Sequence, residues 1–283
     1  MLHDRRILLD GLIFPEGPRW RDGKLWFSDF LAHQVMSVDL QGNAEIVVEV
    51  PGQPSGLGWL PDGRLLVVSM TDRRLLRLDP DGLAESADLS QLASGQCNDM
   101  VVDSQGRAYV GNFGFMIVSP PPDPIPPGEI ILVIPEGAAR VVADDLAFPN
   151  GSVITPDGGT LIVAESLAAR LTAFDIESDG SLTRRRTWAH LEGHTPDGIC
   201  LDAEGAVWVA SPESFQLLRV FEGSRVTHRL EMSRKPYACM LGGADRRTLF
   251  LLTAETADAQ EARAKASGRV EIAKVDVPGA GLP

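Results

Sequence analysis

Apolar and polar positions along this chain alternate in short runs. Turn signals break the runs roughly every 8–12 residues, a spacing that predicts many short strands and no long helix. Six segments open in the same way: FPEGPRW (14–20), QPSGLGW (53–59), QCNDMVV (96–102), FPNGSVI (148–154), TPDGICL (195–201) and PYACMLG (236–242). Each leads into a turn carrying an acid or a glycine, at 22–23, 62–63, 105–106, 157–158, 204–205 and 245–246. Each turn opens a second apolar run: KLWFSDF, RLLVVSM, RAYVGNF, TLIVAES, AVWVASP and TLFLLTA. Asp-Gly between two β-rich runs marks a hairpin, because glycine accepts positive φ in the tight turn.

The third position of the opening segments falls at 16, 55, 98, 150, 197 and 238, giving intervals of 39, 43, 52, 47 and 41 residues. Such a period, with a third and often a fourth strand after each hairpin, predicts an all-β fold: a six-bladed β-propeller of four-stranded antiparallel blades. A ring of blades needs closure. Residues 269–277 read as a late strand of blade six and residues 5–10 as the outer strand beside it, so the N- and C-terminal strands would close the last blade. Residues 1–283 are then expected to form a single domain. The alanine-rich segment 255–265 has no clear apolar stripe and reads equally as a short helix or a surface loop. The longest interval holds six prolines within 119–128. Proline donates no ladder hydrogen bond, so this stretch is either a stiff connector or a rim loop over the channel.

Composition narrows the class. Hydrophobic residues make up 44% and charged residues 23% of the chain, an ordinary balance for a protein with a large core. The net charge of −13 argues against nucleic acid or an anionic membrane as partner. Cys97, Cys200 and Cys239 sit in apolar runs at no metal-ligand spacing, which predicts buried free thiols and a reducing compartment. The apolar stretch near the N-terminus is too short for a signal-peptide core, and no run approaches a membrane span. A cytoplasmic location is expected, with the oligomeric state unread.

In a propeller the first strand of each blade lines the central channel, so equivalent positions form a ring. Here the ring reads Glu16, Ser55, Asn98, Asn150, Asp197 and Ala238. Glycine follows Glu16, Asn150 and Asp197, removing Cβ where the chains crowd. A single Asn-Gly or Asp-Gly is ordinarily just a turn. Four oxygen-bearing side chains at one register of a six-fold repeat call for more. Two carboxylates and two amide carbonyls suit a hard divalent cation. Ca²⁺ heads the expectation, with Mn²⁺, Mg²⁺ and Zn²⁺ behind it; no Cys or His sits in the ring to make a soft or imidazole-based site. Glu16, Asn98, Asn150 and Asp197 are the expected metal ligands. Ser55 and Ala238 drop out, leaving one side of the mouth more open.

The stretches FPEGPRW, QCNDMVVDSQGRAYVGNFG, FPNGSVITPDG and TPDGICLDAEGAVWVA resemble the SMP-30/gluconolactonase family of six-bladed propeller hydrolases, over essentially the whole chain. The resemblance implies that Glu16, Asn150 and Asp197 bind a divalent cation and that Asn98 completes the site or holds substrate beside it. It further implies Asp197 as general base in opening a lactone to a hydroxy acid. A related phosphotriesterase reading uses the same carboxylate as a direct nucleophile, and a non-catalytic binding propeller is the other alternative; the sequence leaves these open. Family sugar lactonases often carry Arg two residues before the Asn, where this chain has Gln96, and an acid in a loop where it reads FGFMIV (113–118). With Gln96, Asn98, Phe113 and Met116 expected at the substrate, a lactone or ester less polar than gluconolactone follows; the bland alternative is that 113–118 merely anchors the proline loop. His194 stands three residues before Asp197 but belongs to no spacing motif, and no G-x-S-x-G element supports a serine nucleophile. Trp20, Trp26, Trp59 and Trp208 fall at strand positions that predict inter-blade core, and the run 184–186 of arginines a solvated outer strand or loop.

Overall fold

Burial along each blade falls from the inside outward, which is what the strand patterns require. The inner strand Pro54–Trp59 is buried almost throughout, because neighbouring blades cover both of its faces. The outer strand Arg225–Glu231 alternates between exposed and half-buried positions, having one face in solvent. A computed structural model describes residues 3–117 and 122–282, and these form six four-stranded antiparallel sheets. The inner strands are Pro15–Arg21, Pro54–Trp59, Cys97–Val102, Pro149–Ile154, Ile199–Leu201 and Lys235–Gly242. The six-bladed propeller read from the repeat is the fold.

Closure occurs as expected. His3–Leu12 pairs antiparallel with Gly268–Lys274, with Arg6 opposite Ile272 and Leu12 opposite Gly268. The last blade thus runs in the order outer N-terminal strand, Gly268–Lys274, Thr248–Ala254, Lys235–Gly242. Arg5 Nε to Glu271 Oε2 at 2.8 Å and Arg269 Nε to Asp10 Oδ1 at 2.9 Å bridge the same seam. Beyond it the C-terminal residues cross the face opposite the mouth, where Gly279 bridges to Asp202 and Leu282 to Ile154.

The hairpin turns use the acids as caps. Asp103 Oδ1 accepts from Gln105 N at 2.9 Å and Arg107 N at 3.0 Å, and Asp202 Oδ1 accepts from Glu204 N at 3.0 Å and Ala206 N at 3.1 Å. The sixth turn lacks the glycine of the others; Arg246 takes the left-handed conformation there, with φ of 54°. Tryptophans join blades. Trp20 stacks on Phe250 at 5.3 Å between centroids, and Trp26 meets Trp59 edge-on at 5.5 Å. Trp208 is buried, as is Trp188, which the strand pattern does not single out. The three cysteines are buried and free. The arginine run lies in the outer strand Leu182–His190. Residues 259–265 resolve the helix-or-loop ambiguity as a short helix, Ala259–Lys265, whose first turn is capped by Asp258 through Glu261 N. Part of the proline stretch, 119–121, lies outside the described residues together with Val118; the remainder runs between the second and third strands of blade three. No helix among the described residues is long and apolar enough to cross a membrane.

The inner strands approach so closely that no side chain fits after Glu16 or Asn150. A Cβ on Gly151 would lie 2.6 Å from Ile199 N and 2.7 Å from Asp197 O, both backbone atoms that cannot yield cheaply. Gly17 has φ of 56° and a Cβ there would meet Ser55 O at 2.9 Å. Gly151→Ala is therefore expected to cost about 1–3 kcal/mol of unfolding free energy by overpacking. Chemical denaturation checks this, and an unchanged midpoint would contradict the crowding.

Candidate active site

The ring positions share a local device. In blades one to four and in blade six, the first hairpin shifts register at the ring residue: between Glu16 and Arg19, Pro54 and Leu57, Cys97 and Met100, Pro149 and Ser152, Pro236 and Ala238. Bulge-like irregularities re-aim side chains beside functional sites. In blade five the strand starts only at Ile199, yet Asp197 is held by backbone bonds: its N–H donates to Ala210 O at 2.9 Å and its carbonyl accepts from Gly151 N at 3.3 Å.

Glu16, Ser55, Asn98, Asn150 and Asp197 all line one cavity of about 140 Å³ at the mouth. The four expected ligands are thus brought together. Four blades are linked by a polar arc. Ser55 Oγ donates to Asn98 Oδ1 at 3.2 Å, and Asn98 Nδ2 donates to Asn150 Oδ1 at 3.1 Å. Asn150 in turn bonds the Asp197 carboxylate. Ser55, set aside on the sequence, is therefore part of the arc. Asn150 Nδ2 also donates to Ser166 Oγ at 3.3 Å, and Ser166 Oγ donates to Pro196 O at 2.7 Å, which ties the blade-four loop to the segment before Asp197.

Charge in the site is unbalanced. Arg19 is buried beneath the ring and donates to Leu57 O at 2.9 Å, to Asp99 Oδ1 at 2.6 Å and to Met100 O. It is engaged with Asp99, and among the described residues neither Glu16 nor Asp197 has an ion pair. Burial, and then the neighbouring Asp99, push the Glu16 carboxyl up to about 8, against lowering by the Gly17 N–H and Arg19. Asp197 is raised well above the ordinary carboxylate range by burial, by Glu16 and by Asp99. Two carboxyls held in one enclosed space resist ionising together, and a cation between them would relieve that cost. Among the described residues no group of three or more His, Cys, Asp or Glu could hold one, so the amide oxygens of Asn98 and Asn150 have to contribute. Each amide oxygen accepts one hydrogen bond and keeps a second lone pair. This donor set fits a hard divalent ion and not a thiolate- or imidazole-bound one.

The walls are apolar. Phe14, Phe30, Met70, Phe113, Ile117, Phe148 and Tyr237 surround the polar floor. Phe113 stacks on Phe148 at 4.3 Å, and Phe14 packs against Phe30 at 4.8 Å and Tyr237 at 4.5 Å. Phe148 has φ of 62°, a conformation costing on the order of 1–3 kcal/mol for a bulky residue. Of the expected substrate contacts, Asn98 and Phe113 line the cavity. Met116 is exposed and does not line the cavity. Ile117, also exposed, borders it instead, and Gln96 Oε1 accepts from Ile117 N at 3.1 Å, holding the loop from outside. His194 is turned elsewhere. Its Nε2 faces Arg229 Nη1 at 2.8 Å, so Nε2 accepts and Nδ1 carries the proton toward Ser214 Oγ at 3.0 Å; it is no base for that serine. The repeated Phe-Pro of FPEG and FPNG was the available signal for Phe14 and Phe148; Tyr237, Ser166 and the Arg19–Asp99 pair left none.

A family model described as the SMP-30/Gluconolactonase/LRE-like region matches residues 14–255. The chain belongs to this family. Among similar proteins, regucalcin of Danio rerio is 26% identical over 267 residues, covering 88% of this chain and 86% of that protein. A protein named lactonase drp35, of Staphylococcus haemolyticus, is 25% identical over 222 residues, covering 74% of this chain and 65% of that one. A solved structure described as a calcium-binding protein, regucalcin, from Agrobacterium tumefaciens has the same fold, with a TM-score of 0.82 and 22% identity over 99% of this chain and 97% of its own.

Because the folded pKa of Glu16, about 8, lies above its ordinary value of 4.5, this group contributes most to stability without metal where it is protonated, and that contribution is lost as pH rises between those values. A divalent cation needs the carboxylates deprotonated and relieves their repulsion, so Ca²⁺ is expected to raise the melting temperature more at about pH 8 than at about pH 6. Thermal melts with and without Ca²⁺ check this, and equal shifts at both pH values would contradict it.

Proposed function

We propose that this protein is a divalent-metal-dependent lactonase that opens a cyclic ester to a hydroxy acid. The observation that carries this reading is the pair of unneutralised carboxylates, Glu16 and Asp197, joined to an amide arc on the floor of an aromatic-walled cavity. Family membership and the name of the drp35 relative support the same chemistry. We further assign residues 1–283 to one functional unit, and the three free buried thiols favour a reducing, cytoplasmic location.

Glu16, Asn150 and Asp197, with Asn98, would hold the cation, Ca²⁺ first among the hard ions. When bound it would supply Lewis-acid polarisation of the lactone carbonyl. Asp197 takes a proton from a water lying beside the carbonyl carbon, and the water oxygen bonds to that carbon. As the ring C–O bond breaks, the proton passes to the departing ring oxygen and the open hydroxy acid leaves. Burial of the floor keeps bulk water from screening these charges.

The walls select the substrate. Gln96 is engaged by the backbone of Ile117, and the cavity presents phenyl rings where a sugar lactone would need hydrogen bonds for its hydroxyls. A small lactone with an alkyl substituent suits this surface better than an aldonolactone.

Asp197→Asn is expected to lower kcat/KM by at least about 10³-fold while leaving the circular dichroism spectrum intact. Retention of more than about a tenth of the activity would remove Asp197 from the chemistry. Across a lactone panel in the presence of Ca²⁺, alkyl-substituted rings are expected to exceed aldonolactones by about tenfold or more in kcat/KM. The reverse order would overturn the assignment of the aromatic wall.

A further inference from the structure

We propose that Tyr237 is a substrate-binding residue whose hydroxyl donates a hydrogen bond to an oxygen atom of the bound ester. This inference rests on reading the site as that of an ester-opening enzyme and adds a residue that neither the ring of six positions nor the metal set contains.

Blade six is the gap in the polar floor. Its ring position is Ala238, which carries no polar group, and the preceding residue reaches the cavity instead. Tyr237 is 5% exposed, and its Oη has no hydrogen-bond partner among the described residues. Four other buried side-chain polar atoms share that state, on Ser69, Arg73, Trp208 and Gln216, and none of those residues lines the cavity. A buried phenol normally finds a partner, because leaving its O–H unmet costs about 1–3 kcal/mol. None of the polar groups around it bonds it, although the floor oxygens keep lone pairs. Ser55, Asn98, Asn150 and Asp197 are joined to one another along the arc, and Glu16 Oε2 accepts from Gly17 N at 2.9 Å.

The phenol is also held still. Its ring packs against Phe14 at 4.5 Å, and its backbone carbonyl accepts from Gly198 N at 2.8 Å, directly beside Asp197. Burial and the nearby Asp197 and Glu16 carboxylates push its proton loss upward, so it remains a donor. A rigid donor with its hydrogen bond unspent, on a residue that lines the cavity, is the kind of group that stabilises oxygen where negative charge develops.

Tyr237→Phe removes the hydroxyl and keeps the ring against Phe14. The expected result is a fall of about 10²-fold in kcat/KM for a small alkyl-substituted lactone, expressed in kcat more than in KM. The melting temperature should not fall, because no bond within the protein is lost. Wild-type kcat/KM in this variant overturns the proposal. So does a loss of activity that merely follows a lowered melting temperature, which marks a structural role. Failure of the ester-opening reading itself shows separately, as absence of turnover by the wild-type protein. In that case calorimetric titration of the same lactone onto both proteins decides: weaker binding by the variant upholds the donor, and equal binding, or none by wild type, overturns it.

Discussion

The structure depends on one seam, the pairing of the N-terminal strand His3–Leu12 with Gly268–Lys274. Five blades are made of sequence-local strands, but the sixth is complete only when residues more than two hundred and fifty positions apart meet, as Arg5 does with Glu271. A long closure costs chain entropy that grows slowly with length, and the hydrogen-bonded ladder with its two ion pairs offsets it. Once the ring is shut, each inner strand is pressed between two neighbours. Gly151 and Gly17 show how little room remains. Closure also brings Tyr237 of blade six and Glu16 of blade one into the same cavity as Asp197 of blade five.

The site is a consequence of that convergence. Strand starts that point at one axis deliver their side chains to one place, and register shifts at the ring residues turn them inward. Carboxylates crowded in this way resist ionisation, and the aromatic walls deepen the effect by excluding water. The fold tolerates this unfavourable charge, a left-handed Phe148 and an unpaired Tyr237 hydroxyl because dozens of fully buried core residues in the blades supply the stability elsewhere. Local disfavour concentrated at one mouth is the pattern expected of a working site.

The six openings and the hairpin turns that follow them are local signals, so blade number, strand count and the convergence of Glu16, Asn98, Asn150 and Asp197 are legible in the residue order. Hairpin periodicity is written into consecutive residues, and ring positions follow from counting. The terminal seam is legible too, because only two strand-like segments are left over. Less visible is everything set by neighbours distant in sequence. Ser55 counts toward the floor because Asn98 lies across from it. Met116 and Ile117 are both exposed, yet Ile117, whose backbone is fastened by Gln96, is the one that borders the cavity. His194 is a candidate by proximity in sequence, yet Arg229 and Ser214 hold it away.

The amino-acid order by itself determined the repeat, the ring and the oxygen-rich donor set, since each depends on spacing and residue type alone. Tertiary structure alone decided which carboxylates lack a counter-charge and which phenol lacks a partner. Arg19 is spoken for by Asp99, eighty positions away, and Ala238 yields its place to Tyr237 through a register shift in the strand. Pairing and aim are properties of packed three-dimensional contacts, and no one-dimensional pattern carries them.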